Sequence, residues 1–83
     1  MTENPTHARI IVTLKSGVLD PQGQAIEQAL AGLGHGGVAS VRQGKVFEVA
    51  LDDGGDAEAR LRAMCDALLV NAVIERYEIE MGD

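Results

Sequence analysis

The chain has 83 residues, which is enough for one domain, and Phe47 and Tyr77 are its only aromatic residues. A domain of this size leaves about 40% of its unfolded surface in water, so we expect a second copy or a partner to complete its burial. Thirteen acidic against seven basic residues give a formal charge of −6. This charge argues against nucleic-acid binding, which depends on basic surface.

The whole chain, 1–83, is predicted to be a single domain, with the polar residues 1–7 as a flexible N-terminal leader. Cys65 is the only cysteine, so no intrachain disulfide and no CxxC metal pattern is possible. No apolar run approaches the roughly 20 residues that span a bilayer, and the leader lacks the apolar core of a signal peptide. These features predict a cytoplasmic protein without a membrane partner.

The first half of the chain predicts a strand and then a helix. From Ala8 to Leu14, apolar residues recur at every second position, the period of a strand with one apolar face. Asp20 is a preferred N-cap residue and Pro21 suits the first helical turn. Five apolar residues at helical spacing follow: Ala25, Ile26, Ala29, Leu30 and Leu33. The glycine-rich segment 34–37 is expected to end this helix.

The segment 38–51 has strand composition but contains a glycine near its middle. We favour two strand segments, Val38–Val41 and Val46–Leu51, joined by a turn at Gln43-Gly44. The alternative is one long strand that bends at Gly44.

The second half predicts another helix and a final strand. Asp56 is the expected N-cap after a turn over residues 52–56, and Asn71 is the expected left-handed residue at the helix end. The apolar face of this helix is predicted to contain Ala57, Leu61, Met64, Cys65, Leu68 and Leu69. A strand over 72–81 follows, with Glu75 on the same face as Tyr77. A carboxylate in that position needs a lysine or arginine from a neighbouring strand or subunit.

The order of elements, β-α-β-β-α-β, predicts the α+β class. The expected architecture is a ferredoxin-like βαββαβ sandwich, in which an antiparallel sheet carries two helices on one face. The other face of the sheet is left bare. It carries apolar residues such as Ile11, with Ile74 at the start of the last strand, and is a predicted place for self-association.

No catalytic or metal-binding pattern is visible. His7 and His35 are isolated, and Cys65 lies on an apolar helix face, where cysteine behaves as a small hydrophobe. The aspartate-rich turn at 52–56 lacks the glutamate that a calcium loop requires. The glycines at 34–37 match no phosphate-binding motif. The residues alone therefore indicate an acidic, oligomer-prone α+β module with no active site and no metal.

Three segments, in order, resemble the PurS family. Residues 14–23, LKSGVLDPQG, are similar to the family pattern LKxGVLDPQG, and residues 41–48, VRQGKVFE, to VRxGKxxE. Residues 68–77, LLVNAVIERY, resemble LLANPVIExY, with Val70 in place of alanine and Ala72 in place of proline. These two departures affect no residue of expected function. The resemblance covers Ala8 to Met81.

The resemblance implies a role in the fourth step of purine synthesis. In that family, a synthetase subunit uses ATP and ammonia to convert formylglycinamide ribonucleotide into its amidine, and a glutaminase subunit releases the ammonia from glutamine. The small third subunit is expected to bridge the two, to assist ammonia transfer and to form a homodimer or homotetramer. It is expected to bind no cofactor itself, since ATP, Mg²⁺ and glutamine are used by the partner subunits.

The same resemblance, together with the polar loops, selects the candidate site residues. Lys15, Arg42 and Lys45 have no evident folding role, whereas Asp20 and Pro21 can equally be explained as parts of the turn and helix cap. No residue is expected to be catalytic. The predicted partner-interface residues are Lys15, Asp20, Pro21, Gln22, Gly23, Arg42, Lys45, Asn71 and Glu75.

Two other functions use the same order of elements. A regulatory module of the ACT type binds a small ligand at a dimer interface, often beside a glycine-containing loop such as the one at Gly17. A small standalone enzyme is the third possibility, but it needs an acid–base residue in a cavity. Fold analogy alone does not decide among these functions.

Overall fold

The structure, a computed structural model, describes residues 5–52 and 55–82. Its three strands are β1 (Thr6–Leu14), β2 (Gly44–Leu51) and β3 (Glu75–Met81). They form an antiparallel sheet in the order β2-β1-β3, so β1 is central. The helices are α1 (Pro21–Gly32) and α2 (Ala57–Met64), and α2 continues into a π-helical turn at Cys65–Leu69. The predicted ferredoxin-like α+β class is confirmed.

The core lies between the central strand and α2. Ile10 pairs with Phe47 on one side and Ile79 on the other, which places three apolar side chains in a row on one face of the sheet. Leu61 and Cys65 pack against that face with no exposed surface. The period-two pattern of β1 thus faces the core, and the prediction that Cys65 is a core residue is confirmed.

The end of the second helix differs from the prediction. The Val70 amide donates to the Cys65 carbonyl oxygen at 3.0 Å, a π-type bond, and Val70 is already extended. Asn71 is therefore not a left-handed helix cap. Its side-chain oxygen instead accepts from the Val73 amide at 3.1 Å and shapes the turn that leads into β3. The wider final turn ends the helix before Asn71 is reached.

The starts of α2 and β1 also differ in detail from the prediction. Asp56 does precede α2, but it adopts a left-handed conformation (φ 49°) and makes no side-chain cap bond. Strand β1 begins at Thr6, so the predicted leader is too long by two residues, because Thr6 and His7 pair with the end of β2. Residues 1–4 of the predicted leader, and residues 53 and 54 of the predicted turn, lie outside the described part of the chain.

The segment 38–43 forms neither of the two expected strand arrangements. Only Gly44–Leu51 is a strand, and the residues before it have no strand neighbour within the described chain. Their backbone donors are taken by carboxylates instead: the Val41 amide donates to Glu27 and the Gln43 amide to Asp20. Because these donors are already used, the segment is held as an ordered loop beside α1.

Helix α1 departs from the expected packing. It packs little against the sheet of its own chain, and two residues of its apolar stripe, Ile26 and Leu33, are 39% and 75% exposed. The molecule is correspondingly elongated, 55 × 28 × 15 Å. Within the described residues, no helix combines the length and hydropathy needed to cross a membrane.

Candidate functional site

The start of α1 is tied to the start of β2 by one buried carboxylate. Asp20 is 7% exposed. It accepts from the Gly23 amide at 2.8 Å, as an N-cap residue does, and from the Gln43 amide at 2.7 Å. The second bond connects residues that are 23 positions apart. We call residues 20–23 together with 41–43 the α1 junction.

Three further contacts complete the α1 junction. The Glu27 carboxylate accepts from the Val41 amide at 2.9 Å, and the Gln43 side chain donates to that of Gln22. Gly23 is buried at the closest approach of the two segments. A Cβ atom there would meet the Val41 carbonyl oxygen and lie 2.9 Å from Asp20 Oδ2. The close approach therefore requires glycine at this position.

Arg42 fixes the loop between β1 and α1. Its guanidinium donates to the carbonyl oxygens of Leu14, Lys15 and Val18 at 3.2–3.3 Å. Gly17 lies between these acceptors with φ 87°, a conformation that suits glycine. The expectation that Arg42 has no folding role is therefore wrong, because its side chain replaces the backbone donors that the loop lacks.

A second polar group lies across the central strand. Lys45 Nζ is 3.6 Å from Glu75 Oε2 and 5.7 Å from the centre of the Phe47 ring. The other Glu75 oxygen accepts from the Asn71 amide at 2.8 Å. Glu75 thus has the basic partner that the sequence predicted, but this partner is not on a neighbouring strand, because β1 lies between β2 and β3. Lys45 also has a structural role that the sequence did not indicate.

The candidate residues gather around the C-terminal end of β1 in two adjoining clefts. One cleft, of about 440 Å³, contains Asp20, Pro21, Gln22, Lys45 and Glu75. The other, of about 580 Å³, contains Lys15 and Arg42. Gly23 lies within the α1 junction, and Asn71 is attached through its bond to Glu75. Residues from three separated motifs thus lie around these two clefts, which share Thr13 and Leu14.

Sequence reasoning missed two residues of this region. Glu27 is the only charged residue of α1, and that isolation among apolar and amide neighbours was the available signal. Arg76 lines the second cleft beside Lys15 and Arg42, and its Nε donates to Thr13 Oγ1 at 3.3 Å. Arg76 directly follows the motif residue Glu75, but it matches no fixed position of the pattern.

The region consists of charged and amide side chains that form hydrogen bonds and ion pairs. Across residues 5–52 and 55–82, no three histidine, cysteine or acidic side chains cluster as metal ligands. Burial, followed by the charge of Asp66, raises the pKa of the Cys65 thiol, which lies away from both clefts. The arrangement provides a rigid polar loop with exposed cations.

Acid is expected to loosen the α1 junction. The hydrogen bond from Gln43, then that from Gly23, lowers the pKa of Asp20 below its ordinary value of 3.8 despite its burial. A lowered pKa stabilises the fold above the unfolded-state value, and this stability is lost as the pH falls through the folded-state value. Titration of the Asp20 carboxyl carbon by NMR, with hydrogen exchange at the Gln43 amide, measures both effects. In the variant Asp20→Asn, the protection of the Gln43 amide from exchange should no longer depend on acid. Equal protection of this amide at pH 5 and pH 2 in the unaltered protein would contradict the prediction.

A family model and a curated relative both match this chain to PurS. The family model described as PurS, phosphoribosylformylglycinamidine (FGAM) synthase, matches residues 7–83. The phosphoribosylformylglycinamidine synthase subunit PurS of Synechocystis is 48% identical over 77 residues, which cover 90% of this chain and 77% of that protein.

Solved structures agree with the fold. PurS from Bacillus subtilis superposes with a TM-score of 0.86 at 37% identity, covering 94% of this chain and 99% of that one. A chain in the structure of PurLQS from Thermotoga maritima superposes with a TM-score of 0.83 at 29% identity, covering 96% of this chain and all of that one.

Proposed function

The chain belongs to the PurS family of phosphoribosylformylglycinamidine synthase subunits, and from this premise we propose how it serves that enzyme. It is a non-catalytic subunit that associates with the other subunits of the synthase. We propose that it bridges the synthetase and glutaminase subunits in the cytoplasm and assists the transfer of ammonia between them. In this proposal ATP, Mg²⁺ and glutamine are bound by the partner subunits.

The observation that carries this proposal is the rigidity of an exposed polar region. Side chains of Asp20, Glu27 and Arg42 fix the backbone of the α1 junction and its preceding loop. Two open clefts lie beside it. A preorganised surface loses little conformational entropy on binding, which favours docking. The region therefore suits a subunit that works by holding partners in place.

Reconstitution tests the adaptor role. The synthetase and glutaminase subunits of the same organism are assayed for amidine formation with and without this chain. We expect the chain to raise glutamine-dependent activity strongly and to leave activity with free ammonia nearly unchanged. No rise in glutamine-dependent activity would reject the proposal, and saturable binding of an amino acid by the chain alone would favour the ACT-type function.

We also infer that the chain forms a homodimer or homotetramer through α1. This helix has 12 residues, a length that is marginal in water unless its apolar face is buried. Its stripe, which includes Ile26 and Leu33, is not covered by the chain's own sheet. A second copy would supply the missing burial.

Charged substitutions on the stripe are expected to dissociate the oligomer. Leu33→Asp places a carboxylate in the proposed apolar interface, so sedimentation velocity should show a smaller species than the unaltered protein. The matched control Gln28→Asp changes a polar exposed position of the same helix and should leave the mass unchanged. Equal masses for the two variants would exclude α1 as the interface.

A further inference from the structure

The second cleft is a concentration of positive charge on an acidic protein. Its lining includes Lys15, Arg42 and Arg76, three of the seven basic residues of the chain. All three side chains are exposed. We call these three residues with Thr13, Leu14, Ser16 and Gly17 the basic cleft.

The three cations of the basic cleft have no ion-pair partner within the described chain. By contrast, Lys45 forms an ion pair with Glu75, and Arg9 and Arg62 each form an ion pair with a glutamate at 3.6 Å. Arg42 contacts only carbonyl oxygens and Arg76 only a threonine hydroxyl among the described residues. The Asp20 carboxylate is near enough to Arg42 for their charges to interact, but it already accepts two backbone amides.

The cations also retain donors. A guanidinium has five N–H groups, of which Arg42 uses three and Arg76 one in the contacts above. The backbone that carries Lys15 is held in place, because the Lys15 amide donates to the Ile74 carbonyl oxygen at 2.8 Å and the Arg42 guanidinium donates to the Lys15 carbonyl oxygen. The donors therefore project from a fixed base.

We propose that the basic cleft binds an acidic polypeptide segment of a partner subunit of the synthase. This inference rests on the proposed function and names the surface and the chemistry of the contact. Exposed cations hold a small anion weakly in water, because solvent and salt screen each pair. A polypeptide that presents several carboxylates engages all three cations together. The net charge of −6 repels an acidic partner elsewhere, so the contact also fixes its orientation.

The test measures the dissociation constants of the synthetase and glutaminase subunits with charge-reversed variants. Lys15→Glu and Arg76→Glu each change the charge by two, as does the matched control Arg62→Glu on α2, which does not line the cleft. We expect the first two to raise the dissociation constant for one subunit by about tenfold or more. The control should stay within about twofold. High salt should weaken the unaltered complex and bring it close to the variants.

A charge-neutral variant and a folding control complete the binding experiment. Lys15→Gln, which removes the charge without reversing it, should give an intermediate loss, and circular dichroism should show each variant folded. Binding equal to that of Arg62→Glu would overturn the inference, while glutamine-dependent activity with the unaltered chain would leave the proposed function standing.

Two results would assign the basic cleft to a different ligand. A reduced oligomer mass in Lys15→Glu would overturn the inference in favour of a second copy. Tight binding of inorganic phosphate, lost in Lys15→Glu while subunit binding persists, would overturn it in favour of a small anion. If the unaltered chain gave no stimulation, the proposed function and this inference would fall together.

Discussion

Replacement of Leu61 by alanine is expected to lower the free energy of unfolding by about 2–5 kcal/mol. The Leu61 side chain has no exposed surface and lies on the face of α2 that packs against the core residues of the central strand. Truncation leaves a cavity that this small core, with few large side chains, cannot refill. Small domains are stable by only about 5–15 kcal/mol, so the substitution should remove a large fraction of the total stability.

Urea unfolding followed by circular dichroism measures the effect of Leu61→Ala. Protein concentration must be held constant, because the stability of an oligomer depends on it. Two control variants are expected to lose less stability than Leu61→Ala. Leu61→Met conserves volume and should cost less than about 1.5 kcal/mol, and Leu68→Ala, at a residue 83% exposed, should change stability by about 0.5 kcal/mol or less. Equal losses for Leu61→Ala and Leu68→Ala would contradict the described core.

Gly23→Ala is expected to remove most of the adaptor activity while the sheet stays folded. The new methyl group meets the Val41 carbonyl oxygen and the Asp20 carboxylate, so the two sides of the α1 junction must separate. Overpacking of this kind costs about 1–3 kcal/mol. The cost falls on the junction, so we expect glutamine-dependent amidine formation to decrease by about tenfold with ammonia-dependent activity unchanged.

The same helix provides a matched control for Gly23→Ala. A Cβ atom at Gly32 meets nothing within 4 Å, and alanine is the better helix former by about 1 kcal/mol. Gly32→Ala should therefore keep full activity. Hydrogen exchange at the Gln43 amide tests the geometry independently of the activity and should accelerate only in Gly23→Ala. Unchanged exchange in that variant would show that the close approach at Gly23 is not required.

Local patterns in the sequence predicted most of the secondary structure. The period-two alternation in β1 and the Asp20-Pro21 helix start depend on residues within a few positions of one another. The burial of Cys65 followed from its place on a helical stripe. The need of Glu75 for a basic partner followed from the cost of placing a carboxylate on an apolar face, although the sequence did not say that Lys45 would supply it.

The candidate site could be predicted as a set of residues but not as a geometry. The motifs named Asp20, Gln22 and Arg42 as surface residues of a loop. Apart from the local N-cap bond between Gly23 and Asp20, their hydrogen bonds join positions 21 to 28 residues apart, which no local pattern encodes. Arg42 was judged free of a folding role because its carbonyl partners are generic backbone atoms, invisible in a sequence.

The sequence by itself determined the class of the fold, the family and the residues that form the core face of the sheet. It did so because hydrophobic period and capping chemistry are local. Only the tertiary structure decided that residues 38–43 are a loop. The carboxylates of Asp20 and Glu27 accept backbone amide protons of this loop that a neighbouring strand would otherwise accept. It also decided that α1 leaves its apolar stripe open and that Arg76 joins Lys15 and Arg42 in one cleft. These outcomes depend on which distant groups meet, and that is fixed only when the chain is folded.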